Sequence, residues 1–319
     1  VIVPCYNAEQ YIPHCLVALS NQTFRDFEVI CINDSSTDGT ERVIQEFATE
    51  SSIPIKCITN EVNLGPAMSR NIAIENSHGE YICFCDSDDW YDDDFLNRMV
   101  SEAESNDSDI VFCGHKLIVE ASGRIIEHPL ELDIDVRMDK RKLLVSSVDS
   151  LWAMMVRRTI ISQVNIPDIR VAEDMAVIPV LISHAERFGV VKDCIYNYLA
   201  RPGSASMIFK EDADGSIPGL ISFSFIRCSL PEKYGTEVEF LGARNLIYGA
   251  LLTIFTHSYN IGRAERILWE FEKVCPNWIN NPYLKTLSYA KRVFLICAHN
   301  RCFRALRLLS RIHYKIVTL

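Results

Sequence analysis

Short apolar runs alternate with amphipathic stretches along the first third of the chain. Runs rich in β-branched and aromatic residues predict strands, and apolar residues three or four apart predict helices between them. The predicted strands cover residues 1–3, 28–32, 55–59, 80–85 and 109–113, and the predicted helices cover residues 9–21, 37–47 and 66–75. Strands that alternate with helices favour an α/β fold with a mostly parallel sheet and helices on both faces.

The pattern changes after residue 114. Residues 116–150 show no clear period and predict a loop-rich insertion, and later residues show a weaker mixture of both patterns. The later predicted elements are an apolar segment at 151–161, a helix at 172–183, strands at 188–191 and 194–199, and helices at 241–259, 262–274 and 282–319. We therefore expect an α/β domain over 1–214, with halves of about 1–114 and 115–214, and an all-helical region over 215–319.

Composition narrows the class of protein. The 319 residues carry a formal net charge of −10, so we expect no general nucleic-acid binding. Most of the 12 cysteines lie in apolar runs, which indicates buried, reduced thiols and a cytoplasmic protein. We find no signal peptide, no uninterrupted apolar run of about 18 residues that would span a membrane, and no zinc-type cysteine spacing.

An acidic motif follows the fourth predicted strand. The apolar run ends in Asp86, Ser87, Asp88 and Asp89, followed by Trp90. Open α/β sheets bind ligands at the carboxyl ends of their strands. Crowded carboxylates repel one another and are hard oxygen ligands, so the motif is suited to a divalent cation such as Mg²⁺ or Mn²⁺. Alone, the motif is equally compatible with an acidic surface loop.

Two other strand ends carry polar residues of the kind that bind ligands. Asp34 follows the second predicted strand, and Asn63 and Gly65 follow the third. Arg70 lies in the next predicted helix and is suited to phosphate or a planar base. Each feature alone is more simply explained by turn chemistry or a surface arginine, but their coincidence at one sheet edge predicts a site.

In order and spacing, these segments resemble the family 2 glycosyltransferases, which are inverting enzymes with the GT-A fold, of the type used in bacterial polysaccharide synthesis. The segments that carry the resemblance are Val3-Pro4-Cys5-Tyr6-Asn7, Ile32 to Thr40, Asn63-Leu64-Gly65 with Arg70-Asn71, and Phe84 to Asp89, with weaker matches at Trp152, Glu173-Asp174, Tyr196-Asn197-Tyr198 and residues 201–206. The sequence departs from the family where Asn33-Asp34-Ser35-Ser36 replaces the common Asp-Asp-Gly-Ser.

The resemblance implies a role for each matched residue. It implies that Asp174 is the catalytic base and that Asp88, with Asp86, holds the metal. The implied donor-binding residues are Pro4, Tyr6, Asp34, Asn63, Gly65, Arg70, Asp86, Ser87 and Asp88. The implied acceptor-binding residues are Trp152, Glu173, Arg201 and Ser204. Glu173 and Asp174 have a second explanation, because acidic residues also stabilise a helix N-terminus.

The implied reaction is transfer of a sugar from a nucleoside diphosphate donor, a UDP-sugar, to a hydroxyl group. The acceptor would be a glycan or a lipid-linked oligosaccharide, with Mn²⁺ or Mg²⁺ on the diphosphate. Two alternatives stay open: a haloacid-dehalogenase-type phosphohydrolase, and a non-catalytic nucleotide-sugar-binding partner, with a homodimer also compatible. A calcium loop is disfavoured because Tyr91 and Asn97 stand where glycine and glutamate are needed, and no Gly-x-Gly-x-x-Gly marks a dinucleotide site.

The carboxyl-terminal region is strongly basic. From Lys273 onward there are nine Lys and Arg residues and no Asp or Glu. Arg304, Arg307, Arg311 and Lys315 form one helical stripe, and Phe303, Leu306, Leu309, Ile312 and Ile316 cover the other side. A basic amphipathic helix predicts docking on an anionic membrane, here the inner face of the cell membrane. The alternative is that the apolar side packs on the catalytic domain or on a partner subunit.

Overall fold

The computed structural model describes residues 1–130, 132, 139–146, 148, 150–170, 173–201 and 217–317, with side chains described up to residue 314. The chain divides into two compact units. The first comprises Val1–Lys140 and Val148–Ala205, and the second comprises Arg141–Ser147 and Ser206–Leu319. The predicted domain boundary between residues 214 and 215 lies outside the described residues.

The first unit contains nine strands among the residues that the structure describes. They are β1 Ile2–Cys5, β2 Val29–Asn33, β3 Ile55–Thr59, β4 Tyr81–Cys83, β5 Trp90–Tyr91, β6 Ile110–Val119, β7 Arg124–His128, β8 Met154–Arg157 and β9 Phe188–Ala200. Strands β1, β2 and β3 form a parallel sheet. A second sheet has the order β4-β8-β6-β9-β5 with β7 beside β6, and in it only β6 and β9 pair in parallel.

The two sheets meet at a parallel bridge between Ile2 and Phe84, where the backbone N–H of Cys85 donates to the carbonyl of Ile2. The prediction of a parallel sheet therefore holds for the first three strands, whereas the architecture as a whole is mixed. The reason is that β5, β7 and β8 return antiparallel. Two of these are very short, and β7 lies in the segment predicted to be a loop-rich insertion, so apolar periodicity did not mark them.

Helices cover both faces of the sheets. In the first unit they are α1 Ile12–Ser20, α2 Thr40–Glu50, α3 Pro66–Glu75, α4 Phe95–Asn106, α5 Lys140–Leu144, which crosses into the second unit, α6 Arg158–Ile161 and α7 Glu173–His184. Alternate strand residues such as Val3 and Cys31 pack in one buried cluster with α1 and α4. Helix α3 packs on β1 and β2 through residues outside that cluster. Because successive side chains of a strand point to opposite faces of the sheet, one set packs against α1 and α4 and the other set packs against α3.

The second unit is helical over the residues that the structure describes. Its later helices are α8 Pro218–Ser229, α9 Gly235–Leu241, α10 Leu251–His257, α11 Ile261–Val274, α12 Tyr289–His299 and α13 Phe303–Val317, with a π-helical segment at Gly242–Ala250. Short 3-10 turns occur at Glu232–Tyr234, Trp278–Asn280 and Pro282–Thr286. The predicted helical region is thus confirmed, and the predicted helix over 282–319 is divided into a 3-10 turn and two helices.

One stretch of the second unit, Glu232–His257, is long and apolar enough to cross a membrane by length and composition, among the residues described. Of its most apolar window, 56% is buried in the structure. Leu246, Ile247 and Leu251 are fully buried there. The core helix of a helical domain has the same properties, so length and composition alone are weak evidence for a membrane span.

Candidate active site

The acidic motif forms the loop between β4 and β5, and its third carboxylate fixes the loop. Asp89 is buried and accepts hydrogen bonds from the Tyr196 hydroxyl at 2.6 Å and the Leu199 backbone N–H at 2.7 Å, both from β9. The Tyr196 hydroxyl also accepts from the backbone N–H of Asp86 at 3.2 Å. Burial raises the pKa of Asp89 well above its usual value. Asp89 and Tyr196 thus hold the loop that presents Asp86 and Asp88.

Asp86 contacts an arginine from helix α3. The Arg70 guanidinium donates to Asp86 at 2.9 Å and also contacts Glu173, at the start of α7. Asp174 lies 3.8 Å from the same guanidinium and accepts from the Leu151 backbone N–H at 3.2 Å. Arg70 is only 3% exposed. The structure therefore brings together three predicted carboxylates, from two distant segments, around one buried cation.

The charges of this cluster do not balance, because three carboxylates face one guanidinium. Burial works against the charge of Arg70, but the carboxylates outweigh it and raise the pKa of the guanidinium. Burial raises the pKa of Asp174 to about 7, with the negative charges of Glu173 and Asp86 adding to it and Arg70 opposing it. Burial likewise raises the pKa of Asp86. A carboxylate with a pKa near neutrality is suited to general-base chemistry.

Asp88 contacts a different arginine. Arg201, at the end of β9, donates to the Asp88 carboxylate at 2.7 Å, and its guanidinium lies 4.4 Å from the centre of the Tyr11 ring. Both partners of this ion pair are partly exposed. Arg201 was predicted to bind the acceptor, and in the structure it neutralises the predicted metal ligand. Ser204, the other predicted acceptor residue of this turn, lies outside the described residues.

Asp34 organises the loop that precedes α3. The carboxylate, 3% exposed, accepts from the Asn60 side chain at 2.8 Å and from the backbone N–H groups of Leu64 at 2.8 Å and Gly65 at 2.7 Å. Gly65 has φ +88°, a conformation that disfavours other residues, so a glycine is needed for this approach. Asp34 therefore shapes the loop in this structure, and its predicted contact with a base stays a prediction.

The departure from the family pattern at residues 33–36 lies in a tight turn. Ser35, where glycine is common, has φ +57° and so occupies the left-handed region. The neighbouring Asn7 also has positive φ, and its side chain accepts from the Thr37 backbone N–H at 2.8 Å. The turn that the family builds with glycine therefore forms here with serine, and hydrogen bonds to the loop after β1 support it.

Two further donor-binding candidates lie at the end of β1. Tyr6 is 52% exposed and Pro4 is partly exposed, so both surfaces are open to a planar ligand. Asn63 accepts from Arg170 at 2.9 Å and donates to the backbone carbonyl of Asp34 at 3.3 Å. Asn63 therefore ties two loops together, whereas Tyr6 is free to stack.

Trp152, predicted to bind the acceptor, is buried in an aromatic stack. Its ring lies 4.4 Å from the Tyr196 ring and 5.7 Å from the Tyr198 ring, both nearly parallel to it, and 4.9 Å from His115. Burial, with a contribution from His128, lowers the pKa of His115 to about 4. Trp152 therefore packs against Tyr196, whose hydroxyl group holds the acidic loop.

Residues to which the sequence analysis gave no role position the site. Asn71 exchanges two hydrogen bonds with the backbone of Ile166, at 2.8 and 3.0 Å, and so joins α3 to the segment that precedes α7. Asn60 and Arg170 hold the loop at 63–65. Asn60 directly follows a predicted strand, which was a usable signal, whereas the partner of Asn71 is 95 residues away.

The acidic loop fits a divalent cation in part. No group of three His, Cys, Asp or Glu side chains able to hold a metal occurs within the described part of the chain. Asp86 and Asp88 each use one carboxylate oxygen in an ion pair, which leaves a second oxygen on each. Mg²⁺ and Mn²⁺ bind one or two carboxylates and complete their coordination with phosphate and water. The donor set therefore fits a metal that arrives with a diphosphate.

The fold and this site define a GT-A-type architecture, with an acidic loop beside a pair of carboxylates on a helix. The sequence model for "Glycosyl transferase family 2" matches residues 1–164. The chain belongs to this family, which confirms the resemblance recognised from the motifs.

One sequence relative and three solved structures show where the similarity lies. The "Uncharacterized glycosyltransferase EpsJ" of Bacillus subtilis is 30% identical over 219 residues, which cover 65% of this chain and 62% of EpsJ. The structure of Staphylococcus aureus TarS 1–349 superposes with a TM-score of 0.68 at 20% identity, covering 98% of this chain and 90% of that one. The TarS 1–349 complex with UDP-GlcNAc superposes with a TM-score of 0.63 at 21% identity, with the same coverage of both chains.

The mannosyltransferase PcManGT of Pyrobaculum calidifontis, in complex with GDP-Man and Mn²⁺, has a TM-score of 0.56 at 16% identity, covering 94% of this chain and 85% of that one. At these identities the structural matches establish the GT-A fold, including the helical region covered by TarS. The chain spans less than two thirds of the length of EpsJ.

Proposed function

We propose that this chain is an inverting glycosyltransferase that moves a sugar from a UDP-sugar to a hydroxyl group of a glycan or lipid-linked oligosaccharide. The observation that carries the proposal is the convergence of Asp86, Glu173 and Asp174 on buried Arg70. This convergence places the acidic loop of Asp86, the candidate site for a metal and a diphosphate, near Asp174, the candidate base, whose pKa is raised to about 7. Family membership supports the same reaction class.

Donor binding is assigned to the loops after β1, β2 and β3. Exposed Tyr6 and Pro4 would pack on the nucleoside base, and the loop shaped by Asp34, Asn63 and Gly65 would surround it. The TarS complex with UDP-GlcNAc supports uridine as the nucleoside. Ser87 lies between the two acidic ligands and would contact the diphosphate or ribose.

Asp86 and Asp88 would hold Mn²⁺ or Mg²⁺ together with the donor diphosphate. Such an ion supplies charge neutralisation to the departing diphosphate. Arg70 orients Asp86 through a 2.9 Å hydrogen bond, and Arg201 bonds Asp88. The Mn²⁺ in the mannosyltransferase complex of the same fold supports this assignment.

Transfer is a single displacement in which Asp174 acts as the general base. The Asp174 carboxylate takes the proton of the acceptor hydroxyl, whose oxygen forms a bond to the anomeric carbon. The bond from that carbon to the diphosphate oxygen breaks, and UDP leaves with the electron pair. The anomeric centre is inverted, and no covalent enzyme intermediate forms.

The experiment combines the purified chain with a panel of UDP-sugars and Mn²⁺, and follows UDP release and glycoside formation on oligosaccharide acceptors. Asp88→Ala should remove the metal dependence and most of the transfer. Asp93→Ala is the matched control, because Asp93 is an exposed carboxylate only five residues further along. NMR of the product gives the anomeric configuration.

Other results would decide against parts of the proposal. Full activity in excess chelator, or an Asp88→Ala variant as active as Asp93→Ala, would contradict the metal role. UDP binding with no turnover of any donor would favour the non-catalytic binding partner. Phosphate release from simple monoesters would favour the phosphohydrolase, although family membership argues against it.

A further inference from the structure

The last two helices of the second unit expose apolar residues beside basic ones. On α12, Tyr289 is 76% exposed and Ile296 52% exposed, with exposed Arg292 between them. The spacings of three and four residues place all three on one side of the helix. The opposite side, with Phe294, Leu295 and Ala298, is buried in the unit. Helix α12 therefore has a buried apolar inner side and also exposes apolar residues on its outer side.

Helix α13 shows the same arrangement. Leu308 is 61% exposed and lies between exposed Arg304 and Arg311, at spacings of four and three residues. Its inner side packs in the unit: Leu306 is buried and the Phe303 ring lies 5.9 Å from the Phe255 ring of α10. Part of the apolar side predicted from the sequence is thus used for packing, whereas Ile312 is 48% exposed. Lys315 and Ile316 lie beyond the described side chains.

Helices α12 and α13 pack against each other. Their exposed residues, Tyr289, Arg292 and Ile296 of α12 and Arg304, Leu308 and Arg311 of α13, are together called the α12–α13 surface, and no acidic residue lies near them in sequence. Every Asp and Glu of the chain precedes Lys273. The local positive charge stands out in a chain whose net charge is −10. This surface is therefore complementary to a negatively charged ligand that also offers an apolar environment for the exposed leucine, isoleucine and tyrosine side chains.

We propose that this α12–α13 surface docks on an anionic lipid bilayer. The basic side chains would contact lipid phosphates, and Leu308, Ile296 and Tyr289 would enter the boundary between head groups and acyl chains. A nucleic acid would use the arginines but would leave exposed leucine and isoleucine side chains without an apolar partner. The inference does not depend on the proposed transfer reaction.

The test is co-sedimentation of the whole chain with vesicles of phosphatidylcholine alone or mixed with phosphatidylglycerol, at low and high salt. Binding should require the anionic lipid and weaken with salt. The triple variant Arg292→Gln, Arg304→Gln, Arg311→Gln should bind about a hundredfold less tightly. Leu308→Ser should weaken binding by about tenfold, and this loss should persist at high salt.

The matched control is the triple variant Arg25→Gln, Arg124→Gln, Lys192→Gln, which removes the same charge from exposed positions of the first unit. It should bind within about threefold of the unchanged chain if the local surface, rather than net charge, decides. Circular dichroism checks that each variant is folded.

Three results would overturn the proposal: no binding to anionic vesicles at low salt, an equal loss in the control triple variant, or binding to single-stranded DNA without binding to vesicles. A dimer in sedimentation velocity that Leu308→Ser dissociates, with no vesicle binding, would show instead that the surface joins two copies of the chain.

Discussion

Two arginines contact the same acidic loop, and their surroundings differ. Arg70 is buried, donates to Asp86 and lies against Glu173 and Asp174. Arg201 is partly exposed and donates to Asp88, with the Tyr11 ring beneath it. Three carboxylates share Arg70. Arg201, the last residue described before residue 217, forms an ion pair with Asp88.

The difference indicates which contact persists when a ligand binds. A buried charge that loses its partners is expensive, so Arg70 and its carboxylates stay together. An ion pair open to water is worth about 0–1 kcal/mol, because solvent competes for both groups. An incoming cation would therefore displace Arg201 from Asp88 more easily than Arg70 from Asp86. We infer that Arg70 is a fixed part of the site and Arg201 an exchangeable one.

The largest expected effect is on stability. Arg70→Met should lower the free energy of unfolding by about 3–5 kcal/mol, because it leaves buried Glu173 and partly buried Asp86 and Asp174 without their cation. Arg201→Met, the matched control, should lower it by less than about 1 kcal/mol. Urea unfolding followed by fluorescence measures both, and Arg70→Lys replaces Arg70→Met if the latter does not fold. Equal losses at the two positions would refute the distinction.

The roles of the two arginines show what the sequence could and could not predict. The acidic motif and Arg70 were predicted as site residues from their places at the ends of strands and in the next helix, whereas the Glu173-Asp174 pair was predicted only from the resemblance to the family. Their mutual contacts were not predictable. Arg70 and Glu173 are separated by 103 residues, and Arg201 and Asp88 by 113, so only the fold brings them together.

The next effect is on catalysis. Asp174→Asn should lower kcat about 10²–10⁴-fold while UDP binding persists, because the variant loses the base but not the donor loops. Glu173→Gln is the matched control on the same helical turn and should lower kcat less than about tenfold. Turnover assays and UDP titration measure the two properties. If Glu173→Gln is the more damaging change, the base is misassigned.

The pH dependence of these variants tests the same assignment. Transfer should rise with pH and level off above about 7, the pKa of Asp174. The charge of Glu173 contributes to that raised pKa, so Glu173→Gln should move the midpoint to lower pH. Because the pKa of folded Asp174 exceeds the ordinary value of 3.8, the folded chain retains a proton between these pH values. The free energy of unfolding should therefore fall as pH rises through this window. Asp174→Asn should reduce that fall, and the remainder comes from Asp86 and Asp89, whose pKa values are also raised by burial.

As with the site residues, part of the fold was predictable from the sequence. Helix α3 has the predicted bounds, and the first three strands deviate by at most a few residues because each is rich in apolar residues. Strand β6 extends to Val119, beyond the predicted Cys113, and pairs with β7 through a turn at Gly123, which has φ +66°. In this hairpin β7 is largely exposed and residues 115–119 of β6 are partly exposed, so their residues are mixed in polarity and gave no clear two-residue period.

The smallest expected effect concerns the exchangeable arginine. Arg201→Gln should tighten Mn²⁺ binding up to about fivefold, because the cation no longer competes with a guanidinium worth about 0–1 kcal/mol at Asp88. Electron paramagnetic resonance of free Mn²⁺ measures this directly, without turnover. Arg170→Gln is the matched control, since Arg170 is an exposed arginine that bonds Asn63 instead of the acidic loop. Unchanged or weaker Mn²⁺ binding in Arg201→Gln would show that Arg201 does not compete with a cation for Asp88.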